Sequence, residues 1–305
     1  MRKKVIITGV NGFIGSYMAQ KCIQCGYDVI GIDVASISII NNVEYYQLNL
    51  FEDSIDDVLK IYKPFAMIHC AGMADVNYSV QHPDSDFASN VGISRKVLYS
   101  IKNVSNKTIF IFLSSAGVYG NPIKNPIDEK HEKNPISPYA LHKSLVEVIC
   151  EYFVKQYNID VRILRIFSAY GVGLKKQIFW DMGQKIRKYN KLELFGTGDE
   201  TRDFIYIEDL VCAIHLIMEA EKTVDITYNV ANGIEISIRN IAEIFCDKCG
   251  LSKDLIIFNQ CERFGNPKNW CADISKIKML GYEPKIDIDV GIEKYVDWLR
   301  KIEII

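Results

Sequence analysis

The chain has 305 residues, 49% of them hydrophobic and 24% charged, with a net charge of −2. That balance suits a folded protein with a large core, in one large or two modest domains. It carries no block of like charge, which argues against nucleic acid or an anionic membrane surface as a main partner.

No signal-peptide pattern opens the chain and no apolar run is long enough to span a bilayer. A cytoplasmic location without membrane insertion is therefore expected, and with it nine reduced cysteines. Cys22-x-x-Cys25 and Cys246-x-x-Cys249 have the spacing of zinc or redox pairs. Both fall in helical periodicity without histidine partners, so small buried hydrophobes are expected there and no metal.

In chain order, Val5-Ile6-Ile7-Thr8 is a β-branched run, followed by Gly9, Gly12 and Gly15 and then a helical segment. A strand turning tightly into a helix N-terminus forms an anion site from free N–H groups and the helix dipole. The glycines let the backbone turn and a pyrophosphate approach. Residues 28–33 read as a second strand ending in Asp33, placed to accept hydrogen bonds from an adenosine ribose. Its charge would repel a 2′-phosphate and so favours NAD over NADP. Glycines alone also close ordinary turns; strand, glycines, helix and acidic strand end together favour dinucleotide binding.

Val43–Gln47 reads as a third strand, Ile55–Tyr62 as an amphipathic helix and Phe65–Ala71 as a buried parallel strand, with His69 as a core histidine. A long helix is expected over 84–102. Thr108–Leu113 is a further buried strand, ending in Ser114-Ser115-Ala116-Gly117. After a polar loop over 121–135, Pro138 opens a helix to about Tyr157, and Asp160–Phe167 forms a sixth strand. This alternation predicts an α/β fold, a doubly wound parallel sheet. Beyond Gly171 the pattern changes: helices near 177–190, 207–221, 237–249, 273–280 and 288–302, with short strands at Leu192–Phe195 and Tyr228–Ala231. The expected division is a cofactor domain over 1–171 with a return segment at about 204–231. A smaller mixed α/β C-terminal lobe over 172–203 and 232–305 would take the substrate.

Tyr139 and Lys143 stand at i and i+4, on one helix face. A phenol of pKa near ~10 is a poor base, and bringing it to near ~7 takes about 4 kcal/mol, within reach of one ammonium plus a bound nicotinamide. Lysine also bonds the nicotinamide ribose. A strand-end hydroxyl such as Ser115 would share the substrate hydroxyl, so that the three abstract an alcohol proton while hydride leaves to NAD⁺. An exposed helix pair is the ordinary meaning of Tyr-x-x-x-Lys; its place after the fifth strand raises it.

The chain resembles the extended short-chain dehydrogenases/reductases, in the NAD-dependent nucleotide-sugar epimerase/dehydratase family. The resemblance is carried by Thr8-Gly-Val-Asn-Gly-Phe-Ile-Gly15, Asp33, His69-Cys-Ala-Gly72, Asn90, Ser114-Ser-Ala-Gly-Val-Tyr-Gly120 and Tyr139-x-x-x-Lys143. It continues through Leu164-Arg-Ile-Phe-Ser-Ala-Tyr-Gly171, Gly198–Asp209 and a tail from Ala272 to Trp298. It implies a Rossmann-type domain binding NAD through Gly9, Asn11, Gly12, Phe13, Ile14 and Gly15, with Asp33, Asn49 and Leu50 at the adenosine. Ala71, Gly72, Asn90, Tyr139 and Lys143 would complete the cofactor site. It makes Tyr139 the base, Lys143 its activator and Ser115 the hydroxyl partner. Arg202 and Arg263 match arginines that meet the diphosphate of a nucleoside-diphosphate sugar, which suits guanidinium chemistry; a surface ion pair is the bland alternative. It also implies a homodimer through the helices near 84–102 and 138–157, and a role in surface polysaccharide synthesis.

Two positions depart from the family. Ser168 stands where Asn is usual, a shorter substrate contact. Asn49 stands where Asp often meets adenine, and an amide still bonds the adenine edge. Trp270 falls near the position that limits bulk at sugar C2, which disfavours N-acetyl sugars. After Ser115 the chain has Ala116-Gly117 where 4,6-dehydratases have an Asp-Glu pair, so water elimination is disfavoured and 4-epimerisation expected. The alternatives are an NAD(P)H-dependent reductase of a 4-keto nucleotide sugar and a non-catalytic dinucleotide sensor, which typically lacks the Tyr/Lys pair.

Overall fold

The computed structural model describes residues 2–221, 225–261 and 267–305. The cofactor half runs β1 (Lys4–Thr8), α1 (Phe13–Gln24), β2 (Asp28–Asp33), β3 (Glu44–Gln47), α2 (Asp56–Tyr62) and β4 (Ala66–His69). It continues through α3 (Val76–Gln81), α4 (Pro83–Phe87), α5 (Ile93–Val104), β5 (Ile109–Ser115), α6 (Pro138–Tyr157) and β6 (Val161–Ile166). The rest comprises β7 (Ser168–Tyr170), α7 (Gln177–Tyr189), β8 (Leu192–Leu194), β9 (Thr201–Tyr206), α8 (Ile207–Glu219) and β10 (Thr227–Val230). β11 (Glu235–Ser237), α9 (Ile238–Cys249), β12 (Ile256–Phe258), α10 (Ser275–Lys278) and α11 (Ile288–Lys301) complete it.

Seven strands make one all-parallel sheet in the order β10-β6-β5-β4-β1-β2-β3. Because strand side chains alternate between faces, each apolar strand feeds two cores. Ile6, Ile30, Met67, Phe110 and Ile163 pack with α2, α5 and α6. Val5, Ile7, Ile68, Ile111 and Leu164 face α1 and α8. The chain order reverses between β1 and β4, and in such sheets ligands sit in the crevice at the carboxyl ends beside that reversal. The β1, β4, β5 and α6 motif residues all lie at that edge.

Four differences from the sequence reading have local causes. The helix expected over 84–102 is α4 and α5 joined by a π-helical turn, Ala88–Gly92. The helix near 273–280 shrinks to α10, between the Asp273 carboxylate that accepts from Ser275 N at 2.8 Å and Gly281 at φ +87°. A three-stranded sheet, β11-β9-β7, was not foreseen. Its central strand carries Arg202 and Asp203, and buried Asp203 accepts from the backbone of Asn232, Gly233 and Ala272. Cys22 and Cys246 are buried, but Cys25 is exposed at the end of α1, and all nine cysteines are free. Among the described residues no helix is long and apolar enough to cross a membrane.

Candidate active site

The β1–α1 turn is tightly built. Gly9 has φ +65°, and a Cβ there would lie 2.8 Å from the Ala71 nitrogen. At Gly15 a Cβ would lie 2.1 Å from the Gly9 carbonyl oxygen, so the turn closes only around glycine. Gly12 is exposed and is the N-cap of α1, with no side chain capping the helix. Phe13 and Ile14 form the uncapped first turn, whose N–H groups and dipole suit an anion.

Asp33 ends β2 beside this turn, accepting from Asn11 N at 3.0 Å and Ala35 N at 3.3 Å. The Asn11 side chain grips the next loop, donating to Ile37 O and accepting from Ile39 N. Asn49 is turned inward on its own loop: its Oδ1 accepts from Phe51 N at 3.2 Å. Leu50 is buried, and Lys96 of α5 donates to the Leu50, Phe51 and Asp53 carbonyls.

At the end of β4, Thr8 Oγ1 meets His69 Nδ1 at 2.8 Å and accepts from Ala71 N at 3.2 Å. His69 is core, as its sequence setting implied, and burial with the nearby Lys143 charge pushes it down to about 3. Its Nε2 has no partner. Gly72 faces Asn90 on the π-helical turn, 2.9 Å from a Cβ position to Asn90 Oδ1. That oxygen is buried and unpartnered, and π-bulges recur at functional sites. The glycine turn, Asp33 and two orphaned polar atoms, His69 Nε2 at the end of β4 and Asn90 Oδ1 on the π-helical turn, fit a dinucleotide laid across the crevice.

Tyr139 sits in the first turn of α6, its backbone N–H donating to Ser79 Oγ at 3.1 Å. Ser137 caps that helix and Pro138 opens it. Lys143 lies one turn on, buried, donating to the Leu113 carbonyl at 2.9 Å, with Nζ 4.9 Å from the Phe112 ring centroid and 5.7 Å from the Tyr139 ring centroid. Burial pushes Lys143 down to about 8. Burial also pushes the Tyr139 phenol up to about 12, the Ser115 hydroxyl opposing and Asp86 adding to the rise. Bringing it from about 12 to neutrality takes about 7 kcal/mol, more than the sequence suggested. Ser115 Oγ also accepts from Gly117 N at 3.1 Å, fixing the hydroxyl over the 3₁₀ turn that starts at Ala116.

A buried network anchors α6 one turn beyond Lys143. Arg165 grips Glu147 through Nε at 3.0 Å and Nη2 at 2.7 Å, while Ser114 Oγ donates to Glu147 at 2.6 Å. Arg165 also donates to Tyr119 Oη, which donates to Asn229. The sequence reading missed this network, and also Asp86 with His142. The signal that was present is a polar residue at each core position of a helix or strand.

On the far side of the crevice, Ser168 opens β7 and is half-buried. Arg202 on β9 donates to the Thr201 and Lys268 carbonyls and lies 5.5 Å over the Trp270 ring; burial pushes it down to about 10. Trp270 donates to the Gly120 carbonyl at 3.0 Å and packs edge-on against Phe167 at 5.9 Å. Trp270 thus bridges the Gly120 and Phe167 motif turns to Arg202. Arg263 lies outside the described residues.

A family model described as the NAD dependent epimerase/dehydratase family matches residues 5–231. The fold matches the UDP-glucose 4-epimerase of Thermotoga maritima, solved with UDP-glucose, at 26% identity and TM-score 0.89 over 98% of this chain and 99% of that one. It matches the UDP-glucuronic acid 4-epimerase of Bacillus cereus, solved with UDP-glucuronic acid and NAD, at 25% identity and TM-score 0.89 over the same shares, 98% and 99%. UDP-glucuronic acid decarboxylase 1 of Xenopus tropicalis is 26% identical over 98% of this chain and 73% of its own.

Proposed function

The chain belongs to the NAD dependent epimerase/dehydratase family, and from that premise we propose that it inverts C4 of a nucleoside-diphosphate sugar through a transient 4-keto sugar. The observation that carries the reading is Ser115 at the carboxyl end of β5 facing Tyr139 and Lys143 on the first two turns of α6, with only Ala116 and Gly117 after the serine. Neither of those two moves a proton, which leaves no acid/base pair for eliminating water. Structures of UDP-hexose and UDP-hexuronate 4-epimerases among the neighbours support the same reading.

Tyr139 takes the C4 hydroxyl proton and later returns one; Ser115 orients that oxygen and stabilises the phenolate by donating to it. Lys143, fixed on the Leu113 carbonyl, supplies a cation beside the phenol and a donor for the nicotinamide ribose. Bound NAD supplies a reversible hydride acceptor at C4. Gly9, Gly12 and the first turn of α1 would hold its pyrophosphate and Asp33 its adenosine ribose. Asn11 would frame that ribose pocket, Leu50 and the loop of Asn49 would lie at the adenine, and Ala71, Gly72 and Asn90 would line the nicotinamide end. Arg202 and Arg263 meet the substrate diphosphate, and Ser168 reaches the substrate from β7. The cofactor domain would span residues 1–171 and 204–231, the rest forming the substrate lobe. Leu141, Leu145, Val148 and Tyr152 leave an apolar stripe exposed on α6, with Phe87 and Tyr99 alongside; this supports a homodimer through α4–α6, checked by solution mass.

The test is proton NMR of the anomeric region with a panel of nucleotide sugars and no added cofactor. A new anomeric doublet at constant total nucleotide sugar, lost at least ~10²-fold in Tyr139→Phe, is expected. Turnover only with added NADH or NADPH and a 4-keto sugar would replace the epimerase by a reductase. Undiminished turnover in Tyr139→Phe would overturn the mechanism.

A further inference from the structure

Asp86, on α4, is fully buried and has no part in the reaction proposed above. Its carbonyl and its carboxylate both turn to Asn90: Asn90 Nδ2 donates to Asp86 O at 3.1 Å and to Asp86 Oδ1 at 3.2 Å. An amide NH₂ has two hydrogens, and Asp86 takes both. The other carboxylate oxygen, Oδ2, is held by His142 Nδ1 of α6 at 2.6 Å, and the Phe87 ring closes edge-on over that imidazole at 5.3 Å. Held from both sides, the carboxylate stays turned to Asn90.

This arrangement fixes the polarity of the Asn90 side chain. Turned over, the amide would set its oxygen against two acceptors and leave its NH₂ without them, and both are penalised away from water. Asn90 Oδ1 is therefore the atom left facing Gly72, where a Cβ would lie 2.9 Å from it. That oxygen is buried and without a partner, an acceptor beside the carboxyl end of β4. Pyrophosphate oxygens only accept, so a bare oxygen here fits a part of the cofactor that carries donors. We infer that Asp86, held by His142, is a positioning residue that presents Asn90 Oδ1 to a hydrogen-bond donor on the nicotinamide half of NAD, a ribose hydroxyl or the carboxamide N–H. The inference rests on NAD lying along the crevice as proposed above, and not on which reaction follows.

Radiolabelled NAD exchanged into the protein and displaced by NAD, ADP-ribose or ADP measures what the nicotinamide half adds to affinity. Asn90→Ala should lower the affinity for NAD relative to ADP about fivefold, the worth of one neutral hydrogen bond. Asp86→Leu should lower that ratio by a similar factor and add nothing in the Asn90→Ala background. Asp86→Asn, which still offers Asn90 an oxygen and turns its own NH₂ to His142, should restore it. A parallel fall for ADP-ribose identifies the ribose hydroxyl as the donor; a fall for NAD alone identifies the carboxamide.

NAD, ADP-ribose and ADP weakened alike in Asp86→Leu would mean a purely structural role and overturn the inference. So would a ratio lowered in Asn90→Ala but unmoved in Asp86→Leu. A ratio unmoved in Asn90→Ala would take Asn90 out of the cofactor site and the inference with it, while the proposed epimerisation would still stand or fall on the NMR test. Where Asp86→Leu does not fold, exchanging the two groups decides. Asn90→Asp sets carboxylate against carboxylate and should lower the ratio, and Asp86→Asn added to it should restore it. A ratio unmoved by the first change or unrestored by the second overturns the inference.

Discussion

Replacing Glu147 by Gln tests whether the buried network holds α6 in place. The Glu147 side chain is fully enclosed, with Arg165 on both oxygens, Ser114 on one and Lys133 at 3.2 Å on the other. Gln keeps one acceptor but turns an NH₂ toward guanidinium, leaving a buried cation without its counter-charge. Breaking such a pair costs about 3–5 kcal/mol, a loss of roughly 5–15 °C in Tm for a chain of this size. Urea denaturation at pH 7, followed by circular dichroism, reads it directly. Burial alone would push Glu147 up, but Arg165, Ser114 and Lys133 override it and hold the carboxyl below the usual range. Its contribution is therefore complete above about pH 4.3 and disappears as pH falls through the depressed value. The gap between wild type and Glu147→Gln should narrow below that pH. Glu147→Met with Arg165→Met should cost less than the two single changes added. A gap under about 1 kcal/mol at pH 7, or one unchanged on acidification, would refute the account.

Asp33→Ser should cut the preference for NAD over NADP by about tenfold, near 1.4 kcal/mol, in fluorescence titrations; an unchanged ratio counts against the ribose contact. Gly15→Ala forces a methyl against the Gly9 carbonyl and should cost about 1–3 kcal/mol and abolish the thermal stabilisation by NAD. A variant still stabilised by NAD would mean the turn has room. Trp270→Ala, which removes the wall between Phe167 and Arg202, should raise kcat/KM for N-acetylated relative to plain nucleotide sugars about tenfold. An unaltered ratio would remove Trp270 from the sugar pocket.

The parallel sheet was legible because its strands are buried on both faces. Continuous runs such as Phe110–Leu113 and Ile163–Leu164 leave little alternative to a central strand. β9 was not legible for the opposite reason: Thr-Arg-Asp opens a strand whose Asp203 is buried and satisfied only by backbone N–H groups distant in sequence. The break between α4 and α5 was equally hidden. Ser89, Asn90 and Gly92 are weak helix formers, but weak propensity does not specify a π-helical turn, which answers to the packing of Asn90 against Gly72 and Asp86.

In the site, the glycine turn and the Tyr139/Lys143 spacing are local and could be read directly, whereas the electrostatics are not local. The phenol and ammonium stand one turn apart as spacing implied, yet burial moves Tyr139 away from phenolate and Lys143 away from its cation. Helix α6 shows why. Its inward face carries His142, Lys143 and Glu147 among Ala140, Val146 and Cys150, while Leu141, Leu145, Val148 and Tyr152 point outward. Hydropathy alone would turn that helix the other way round. Its orientation is stabilised by partners from three distant segments: Asp86, Leu113 and Arg165. Each buried polar group there is satisfied by a residue at least 18 positions away. The chemistry of α6 thus depends on tertiary contacts that no window of sequence around it contains.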